Sequence, residues 1–542
     1  MHIIRVFAAF LVLAAIPAMV ATSPPTNAPG ATETAGTRDM ATALSDLPQF
    51  MERGMTDWGI PGMAVSIVHD GRLLYAKGFG QRKLGGEEPV DEHTIFGMAS
   101  LTKAMTAAAL GMLADEGALD WDDRVRDHLP WFTLSDPWVT DNVTIRDLLS
   151  HRVGIGRLTG NRLRFMPERD PRTIMEFVRH MPFEEPFRSG YVYSNMMYMV
   201  AGQVLEAASG MPWDRFMRER LFEPLGMLSA STSVTRITDT CNAAWPHQEI
   251  FGEVQRIPRR NFDNVGPAAS VNASVWDMAQ WMMLQLGTPG EFEGQQLVSE
   301  RSIRETHQPH QAFRSDDPLT SPITGYGMGW GLRYYEGHRI SQHSGATDGM
   351  TTFMVLLPEK GIGVLVASNL FCNFRPAVIN HILDILLEIE RDKDWHAHFF
   401  EQYTKEKARA MEKRRAVEDK RHPGTRPSLP LEEYTGSYHH IVYDNARVTI
   451  GGNQQLVLQL WDDDEMVADL EHWHFDTFRA HWRNKSMREK FVTFDLDQYG
   501  NVKQLNVPFT LRQILISAGI YPADYYRIVE YRKTPPEGAP GE

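Results

Sequence analysis

The sequence predicts an α+β fold followed by a small antiparallel β-barrel or sandwich. Three observations carry this prediction. Two pairs of strand-like segments are each joined by a tight turn, which is typical of antiparallel hairpins. A run of Ala, Met and Leu from Ala104 to Leu113 has the composition of a buried helix. Towards the C-terminus, short segments of alternating apolar and polar residues are separated by Gly-containing turns.

The length and net charge of the chain limit the number of domains and the classes of partner that we expect. A chain of 542 residues exceeds one compact domain and suggests roughly three units or fewer. It carries 55 basic and 69 acidic residues, a net charge of -14. This acidic balance argues against nucleic acid as a partner.

The cysteines and histidines do not form a recognisable metal site. Cys241 and Cys372 are the only cysteines and lie far apart, so a disulfide framework is excluded and one long-range bridge stays open. Neither cysteine has the spacing of a metal ligand, and the pattern His-Glu-x-x-His is absent. We therefore expect no metal ion and no cofactor.

The N-terminus has the layout of a signal peptide. His2 and Arg5 precede an apolar run from Val6 to Ile16, and small residues follow as far as Ala21. We expect residues 1–21 to be a signal peptide and the chain to be exported, secreted or periplasmic; an uncleaved membrane anchor is the alternative. Residues 22–42, rich in Pro, Thr, Ala and Gly, predict a mobile spacer. No later segment is apolar enough over about 20 residues to span a bilayer.

The first domain is predicted over residues 43–390 and begins with a helix from about Leu44 to Trp58. Two strands, Gly62–His69 and Arg72–Phe79, then flank Asp70-Gly71, which is a strong hairpin signal. The other predicted elements are helices that begin near Asp120 and Thr144, a helix from Met196 to Ala208 that Gly210 stops, and the strands Thr351–Leu357 and Gly361–Ser368.

The first candidate site is Ser100 with Lys103, three residues later, at the start of the predicted helix. A hydroxyl in the first turn lies near the positive end of the helix dipole, and a residue at i+3 shares its face. A serine needs a neighbouring base to act as a nucleophile, and a desolvated lysine can be that base. The alternative is a serine N-cap beside a lysine that extends from an apolar helix.

The second candidate is Tyr193-Ser194-Asn195, just before a predicted helix. If this segment is extended, the phenol and the carboxamide project from the same side. Tyr193 could then take or return a proton, while Asn195 orients Lys103 and a substrate carbonyl. A tyrosine that anchors a loop and an asparagine that caps the helix is the alternative. The neighbouring pair Ser150-His151 is interpreted as structural.

The third candidate is His343-Ser344-Gly345-Ala346. At a strand edge, His343 and Gly345 share one face, and the missing side chain of Gly345 would let a substrate backbone approach closely. The N–H groups of Ala346 and Ser100 could together bind an oxyanion. A structural histidine is the alternative.

The order Ser-x-x-Lys, Tyr-x-Asn and His-x-Gly resembles the serine β-lactamase and penicillin-binding protein superfamily. Tyr193-Ser194-Asn195 is similar to the form in class C β-lactamases, D-alanyl-D-alanine carboxypeptidases, D-aminopeptidases and related esterases. The resemblance covers roughly residues 43–390. It extends to three further stretches: Thr144–His151, Tyr326–Trp330 and the hairpin that ends at Ala367-Ser368-Asn369.

The resemblance implies a β-lactamase/transpeptidase-like domain, with an antiparallel sheet flanked by helices plus an all-helical lobe. It implies a serine hydrolase that acts through an acyl-enzyme on a small peptide, amide or ester substrate. Ser100, Lys103 and Tyr193 would be catalytic, with Asn195, His343 and Gly345 orienting the substrate. The alternatives are an acyltransferase that uses the same serine and a catalytically silent binding protein.

The sequence departs from the β-lactamase pattern at one position, because His343 stands where β-lactamases carry lysine. A lysine there is a permanent cation suited to a substrate carboxylate, whereas histidine is mostly neutral at pH 7. Efficient β-lactam hydrolysis is therefore not expected. Peptidase or esterase relatives with His-x-Gly fit better.

The C-terminal part is predicted as a connector and a second domain. Residues 391–428 are highly charged and helix-prone and end in a Pro-rich segment, which indicates a solvated linker helix. Residues 429–535 resemble the lipocalin-like barrel attached to some serine peptidases of the superfamily. We expect a filled interior that docks on the catalytic domain, and a solvated turn at Asp462–Glu465. The sequence leaves an oligomer open.

Overall fold

The computed structural model describes residues 40–156, 169–238, 241–250, 252–314, 323–485, 487, 489–510 and 526–534. The predicted signal peptide and nearly all of the predicted spacer lie outside the described residues. The last residues of the predicted spacer belong to a short helix, Met40–Ala43.

The first domain, here called the catalytic half after the role that the sequence predicts for it, is built on one sheet of eight strands. Each neighbouring pair in the sheet is antiparallel. The predicted hairpin at Asp70-Gly71 forms one edge of this sheet, and both turn residues have the positive φ that such a turn requires. In spatial order the strands are Arg72–Gly80, Gly62–His69, Ile362–Ser368, Met350–Leu357, His338–Thr347, Gly331–Tyr335, Ile323–Tyr326 and Gln311–Arg314.

Helices cover both faces of this sheet. Val65 and Ile67 pack with the helices Leu47–Trp58 and Arg375–Leu386, whereas Ala64 and Val68 point to the opposite face and join the larger core. Residues two apart on a strand share a face, so this alternation places one strand in two separate cores. The predicted arrangement of an antiparallel sheet flanked by helices is confirmed.

The larger core joins the sheet to a helical lobe. The helix Thr102–Asp115 runs between the two, and every residue from Thr102 to Leu113 is buried. The other helices on this side of the sheet are Val125–His128, Pro137–Asn142, Ile145–Leu149, Pro171–Val178, Asn195–Ser209, Trp213–Phe216, Gly266–Ala269, Val275–Leu286 and Glu300–Thr306. The lobe positions the two helix starts, at Thr102 and Asn195, on which the candidate site depends.

Short elements complete the catalytic half. A single helical turn of the π type, Met217–Phe222, follows Trp213–Phe216. Among the described residues, the connections contain four 3₁₀ turns: Ala99–Leu101, Val234–Arg236, Asp263–Val265 and Pro358–Lys360. They also contain three two-stranded ladders: Phe96–Gly97 with Asn272–Ala273, His247–Ile250 with Glu253–Arg256, and Glu291–Phe292 with Gln295–Gln296.

A long charged helix, Trp395–Glu418, connects the catalytic half to the barrel. It is mostly exposed and buries only Trp395 and His396 within its 24 residues. This agrees with the predicted solvated linker. After it, the 3₁₀ turn Leu431–Tyr434 leads into the barrel.

The C-terminal domain is a closed barrel of eight antiparallel strands, which decides between the predicted barrel and sandwich. Closure comes from pairing of the first strand with the last, at Tyr438 with Lys533 and His439 with Arg532. The strands are Gly436–His440, Asp444–Ile450, Leu456–Leu460, Val467–His474, Thr477–Trp482, Lys490–Leu496, Val502–Thr510 and Tyr526–Lys533. The proposed likeness to lipocalins stays a prediction.

Aromatic side chains fill the described part of the barrel interior. Tyr434, Tyr438 and Phe494 are buried, and the Phe494 ring contacts both tyrosine rings. Two ion pairs connect the barrel to the catalytic half: Arg169 with Asp444 at 2.6 Å and Arg260 with Glu465 at 3.8 Å. The barrel therefore docks on the catalytic domain, as expected.

Two further expectations concern cysteines and membranes. Cys241 and Cys372 are free thiols, so the long-range bridge that the sequence left open is not formed. Within the described part of the chain, every helix is too short or too polar to cross a bilayer.

Candidate active site

Ser100 lies in a strained turn at the start of a buried helix. The 3₁₀ turn Ala99–Leu101, here called the nucleophile turn, runs directly into the helix Thr102–Asp115. Ala99 has a φ of 50°, which an alanine rarely adopts. The Thr102 hydroxyl donates to the Ala99 carbonyl at 2.6 Å and so stabilises this conformation. Strain of this kind persists where the surroundings over-determine it, and functional sites are a common place.

Lys103 is fully buried and contacts three oxygen atoms. Its Nζ lies 3.2 Å from Ser100 Oγ, 2.7 Å from Asn195 Oδ1 and 2.8 Å from the Ala268 carbonyl oxygen. It also lies 4.8 Å from the centre of the Tyr193 ring. A buried amine is costly unless hydrogen bonds satisfy it, and these contacts do so.

The Tyr193 phenol points at the same serine. Its hydroxyl donates a hydrogen bond to Ser100 Oγ at 2.8 Å. The serine oxygen is thus held between a phenol and an amine, each within hydrogen-bonding distance. The structure therefore brings together Ser100, Lys103, Tyr193 and Asn195, from two separate stretches of the sequence.

The segment around Tyr193 differs from its prediction in one respect. Ser194 is extended, with φ -135° and ψ 115°, but Asn195 is already the first residue of the helix Asn195–Ser209. Ser194, not Asn195, caps that helix, because its Oγ accepts from the Met197 N–H. The alternative of an asparagine cap is wrong, and the Asn195 carboxamide is left to hold Lys103.

His343 lies on the strand His338–Thr347, here called the His343 strand. This strand pairs with Gly331–Tyr335 only as far as Gln342, whereas its other side pairs with Met350–Leu357 as far as Thr347. Among the described strands, residues 343–347 therefore form a local free edge, as the sequence predicted. The edge faces the nucleophile turn.

His343 is a neutral side chain in this structure. A carbonyl only accepts hydrogen bonds, so the contact of Nδ1 with the Ser344 oxygen at 2.8 Å places the ring proton on Nδ1. The other nitrogen, Nε2, then accepts from the Tyr326 hydroxyl at 2.9 Å. Burial, and next to it the charge of Lys103, lowers the pKa of His343 to about 3.

Gly345 lies where two parts of the backbone approach each other closely. A Cβ at this position would lie 2.3 Å from the Met98 carbonyl oxygen and 2.3 Å from Thr352 Oγ1. The missing side chain lets the His343 strand approach the residues before the nucleophile turn. The predicted role of Gly345 towards a substrate backbone stays a prediction. This close approach places Ala346 beside that turn. The role of the Ala346 and Ser100 N–H groups as an oxyanion hole stays a prediction.

His151 contacts the site, although it is interpreted as structural from the sequence alone. It is fully buried, and its ring centre lies 4.4 Å from that of Tyr193. Its Nδ1 accepts from the Ser194 N–H at 3.1 Å, and its carbonyl accepts from the Val192 N–H at 2.8 Å. His151 therefore holds both neighbours of Tyr193. Ser150 is not its partner, since the Ser150 hydroxyl donates to the Arg146 carbonyl.

Burial sets the charge of His151, and an ionic cluster fixes the loop beside it. Burial, followed by the fields of Lys103 and His343, holds the pKa of His151 well below its ordinary value. Asp147 lies one turn earlier and is buried, but it accepts hydrogen bonds from Arg152 and Arg188. Burial opposes ionisation of Asp147, and these arginines outweigh it, so the pKa of Asp147 is lowered.

Two groups that contact the site residues are not among the predicted site residues: the Tyr326 hydroxyl and the Ala268 carbonyl. Tyr326 lies in the Tyr326–Trp330 stretch that resembles the superfamily, which is the signal that could have found it. The Ala268 carbonyl has no such signal, because a backbone acceptor can belong to any residue type. In the described residues, no group of His, Cys, Asp and Glu side chains is arranged to hold a metal ion.

Two family models match the chain. One, described as Beta-lactamase, matches residues 47–387, and the other, described as a domain of unknown function (DUF3471), matches residues 420–516. The first covers the sheet, the helical lobe and all the site residues. The second covers the end of the linker and most of the barrel.

Known proteins resemble the chain over most of its length. It is 29% identical over 445 residues to the unguisins hydrolase ungD' of Aspergillus campestris. This match covers 77% of this chain and 78% of that protein. It is 26% identical over 344 residues to the protein flp of Staphylococcus aureus (strain MW2). This match covers 61% of this chain and 64% of that protein.

Solved structures show the same fold. The octameric penicillin-binding protein homologue from Pyrococcus abyssi superposes with a TM-score of 0.58 at 20% identity, over 90% of this chain and 100% of that one. SurE superposes with a TM-score of 0.53 at 20% identity, over 86% of this chain and 97% of SurE. The Beta-lactamase match spans more than half of the 542 residues, so the chain belongs to the beta-lactamase family, as a serine-hydrolase-like member.

Proposed function

We propose that this protein is an exported serine hydrolase that cleaves amide or ester bonds through an acyl-enzyme. The observation that carries the proposal is the placement of Ser100 Oγ between Lys103 Nζ, at 3.2 Å, and the Tyr193 hydroxyl, at 2.8 Å. A serine hydroxyl is a weak nucleophile until a base within hydrogen-bonding distance can take its proton. This arrangement supplies two candidate bases.

A neutral Lys103 amine fits its three neighbours. It has two N–H groups, for Asn195 Oδ1 and the Ala268 carbonyl, and one lone pair, for the proton of Ser100. An ammonium would donate to all three oxygens and has no lone pair. The reactive state therefore has a neutral Lys103 as the base, with the Tyr193 hydroxyl donating to Ser100.

The acyl transfer then proceeds in two halves. Ser100 Oγ attacks the carbonyl carbon while its proton moves to Lys103, and the N–H groups of Ser100 and Ala346 bind the oxyanion. Collapse of the tetrahedral intermediate breaks the C–N or C–O bond, and Tyr193 delivers a proton to the leaving group. The proton that Lys103 took from Ser100 then passes to Tyr193. Water attacks the resulting ester in the same way and releases Ser100.

Because the His343 side chain is uncharged, it limits the class of substrate that we expect. A pKa of about 3 keeps this imidazole uncharged throughout the physiological range. It therefore offers no cation to a substrate carboxylate at the position where β-lactamases carry lysine. This supports a peptidase or esterase over an efficient β-lactamase.

Two alternatives use the same fold. In an acyltransferase, an alcohol or amine would replace water as the acceptor. In a silent binding protein, the serine would not react, but the contacts of Ser100 with Lys103 and Tyr193 argue against this alternative. The name of the Aspergillus campestris relative, an unguisins hydrolase, also favours hydrolysis.

Covalent labelling tests the proposal. A fluorophosphonate probe should add to the wild-type protein on Ser100, as read from the mass of the adduct peptide, and should not add to Ser100→Ala. A library of peptides and esters, including peptides with D-leucine because SurE has been solved with D-Leu, then identifies the acyl group that is trapped. Full hydrolytic activity of Ser100→Ala would show that the assignment is wrong. Products that carry an added alcohol or amine would favour the acyltransferase.

Export is a separate part of the proposal. It is supported by the N-terminal charge and the apolar run as far as Ile16. The N-terminus of the protein purified from its natural host should lie close to Ala21. A mature protein that begins at Met1 and stays in the cytoplasm would contradict export without affecting the proposed chemistry.

A further inference from the structure

One polar residue interrupts the apolar run of the helix that carries Lys103. Thr106 stands between Ala104 and Leu113, and its side chain is fully buried. Threonine favours a helix less than alanine, methionine or leucine does, because its branched side chain loses rotamer freedom there. A buried hydroxyl also costs free energy unless it is hydrogen-bonded. The partners of this hydroxyl therefore show what Thr106 does in the fold.

The Thr106 hydroxyl reaches out of its own helix. A threonine within a helix commonly donates to a carbonyl three or four residues earlier. Thr106 Oγ1 instead donates to the Pro267 carbonyl oxygen at 2.8 Å, and it accepts from Trp213 Nε1 at 3.2 Å. Both partners are buried. Thr106 therefore links the helix to two segments that lie 107 and 161 residues away in the sequence.

Pro267 directly precedes the residue whose carbonyl holds Lys103. Lys103 Nζ donates to the Ala268 carbonyl oxygen at 2.8 Å. Thr106 follows Lys103 at i+3, so the two side chains lie on one face of the helix. The successive carbonyls of Pro267 and Ala268 thus accept from two neighbouring side chains of that face. A segment held at two successive carbonyls has a fixed position relative to the helix.

The segment that supplies these carbonyls depends on its neighbours for its position. Pro267 and Ala268 belong to the helix Gly266–Ala269, a single turn that is here called the Ala268 turn. A helix this short gains little from its own hydrogen bonds, because the first turn is the costly part of helix formation. Gly202 packs closely against the same turn, since a Cβ there would lie 2.1 Å from Pro267 Cγ. The hydroxyl of Thr106 and the missing side chain of Gly202 therefore both determine where the Ala268 turn lies.

A second threonine connects the Ala268 turn to the nucleophile turn. Thr102 Oγ1 accepts from the Val271 N–H at 3.1 Å and donates to the Ala99 carbonyl at 2.6 Å. The segment that follows the Ala268 turn is thereby tied to the strained first residue of the nucleophile turn. Because Thr102 and Thr106 flank Lys103 in the helix, the amine and its acceptor carbonyl share one set of supports.

From these contacts we propose that Thr106 is a positioning residue for the reaction at Ser100. Its hydroxyl holds the Pro267 carbonyl, and this fixes the Ala268 carbonyl as the acceptor that orients the Lys103 amine. The amine then presents its lone pair to Ser100 while both of its N–H groups are occupied. This inference rests on the proposed function and deepens it, because it names a residue that acts through Lys103.

The first test removes the hydroxyl and keeps the shape of the side chain. In the full-length protein, Thr106→Val leaves the Pro267 carbonyl without its donor, and kcat for p-nitrophenyl acetate should fall by about tenfold or more. KM should stay within about twofold, because Lys103 takes part in both acylation and deacylation and both steps are slowed alike. Thr106→Ser keeps the hydroxyl and should recover kcat to within about threefold of the wild type. A folded Thr106→Val with the wild-type kcat, or equal kcat values in the two variants, would overturn the inference.

Thr140→Val is the matched control for the loss of a buried threonine hydroxyl. Thr140 is buried in the helical lobe, where its hydroxyl donates to the Asp136 carbonyl at 2.7 Å and accepts from the Leu134 N–H at 2.9 Å. The melting temperature of this variant should fall about as far as that of Thr106→Val, whereas its kcat should stay within about twofold of the wild type. A fall in kcat of the same size in both variants would show that lost stability is the cause, and would overturn the inference.

Gly202→Ala decides the case in which Thr106→Val does not fold. Its methyl group would displace the Ala268 turn, so kcat should fall by about fivefold or more with KM again within about twofold. A crystal structure of the variant should show a distance between Lys103 Nζ and the Ala268 oxygen that is longer than 2.8 Å. An unchanged kcat or an unchanged distance would contradict the inference. Absence of any Ser100-dependent ester or amide cleavage by the wild type would instead contradict the proposed function, while the distance would still test the placement of Lys103.

Discussion

The cleft and the barrel interior both bury polar side chains, but they satisfy them differently. In the barrel, the Tyr438 hydroxyl donates to the Tyr434 carbonyl at 2.7 Å and the Tyr434 hydroxyl donates to Asp476. Each of these two tyrosine hydroxyls therefore has a fixed acceptor. In the cleft, Ser100 Oγ lies within hydrogen-bonding distance of both an amine and a phenol, which are the groups that the proposed mechanism uses for proton transfer. Substitutions in the cleft should therefore change activity, whereas substitutions in the barrel should change stability.

The largest expected effect is on activity, from Lys103→Met. Methionine has a similar shape but no base and no donor, so kcat/KM should fall by about 10⁴-fold or more. The melting temperature should stay within a few degrees of the wild type, because the change also removes a buried polar group. Steady-state kinetics and calorimetry measure the two quantities. A variant that loses its fold along with its activity would break the proposed contrast.

Acid should destabilise the catalytic half before the barrel. His307 and His343 are buried, and burial lowers the pKa of each to about 3. Between about pH 6.5 and 3 the unfolded chain then binds more protons than the folded chain. Stability is therefore full above pH 6.5 and falls with decreasing pH, by roughly 1.4 kcal/mol per unit for each histidine.

Hydrogen exchange at pH 7 and pH 5 measures this difference region by region. Amides of the eight-stranded sheet should lose protection at the lower pH more than amides of the barrel, whose described histidines are half-buried or exposed. Equal loss in both regions would contradict the assigned cause.

In the barrel, Phe494→Ala should act on stability alone. Its ring contacts Tyr434 and Phe478 at centroid distances of 5.0 and 5.6 Å, and the side chain is buried. Truncation of a buried phenylalanine costs about 3–5 kcal/mol. Denaturant unfolding, monitored on the barrel, should show this loss while kcat/KM of the folded protein stays within about twofold. A large fall in kcat/KM under native conditions would show that the barrel interior affects the cleft.

The smallest expected effect concerns His151. His151→Ala removes the acceptor of the Ser194 N–H and should lower kcat by about tenfold, in line with the cost of one lost buried hydrogen bond. His151→Asn should recover part of the rate, because its Oδ1 can replace Nδ1 and asparagine tolerates the φ of 59°. KM should change little in either variant. Equal rates in the two variants would argue that only the volume of the ring matters.

Local sequence signals predicted much of the fold. The Asp70-Gly71 hairpin, the helix that Gly210 ends and the strand pair around Pro358 all form at or near their predicted limits. Each depends on residues that are close in sequence, such as a turn that needs positive φ. The strands Gln311–Arg314, Ile323–Tyr326 and Gly331–Tyr335 are not predicted from the sequence, although the turn Glu336-Gly337, with positive φ at both residues, follows the last of them.

Contacts between distant residues explain what the sequence did not predict at the site. The need for glycine at position 345 comes from the Met98 carbonyl, and the role of His151 comes from the Ser194 N–H. The third acceptor of Lys103 is the carbonyl of Ala268, which no side-chain pattern marks. Closure of the barrel likewise depends on Tyr438 meeting Lys533, across nearly the whole domain.

Arg260 connects the barrel to the end of the His343 strand. Its guanidinium pairs with Asp348, which follows that strand, and lies 3.8 Å from Glu465 on a barrel turn. A change in the length or charge of this barrel turn would therefore act next to the free edge that faces the nucleophile turn. Divergence of the second domain is thus a route by which relatives with the same residues at the candidate site can differ in the surroundings of that site.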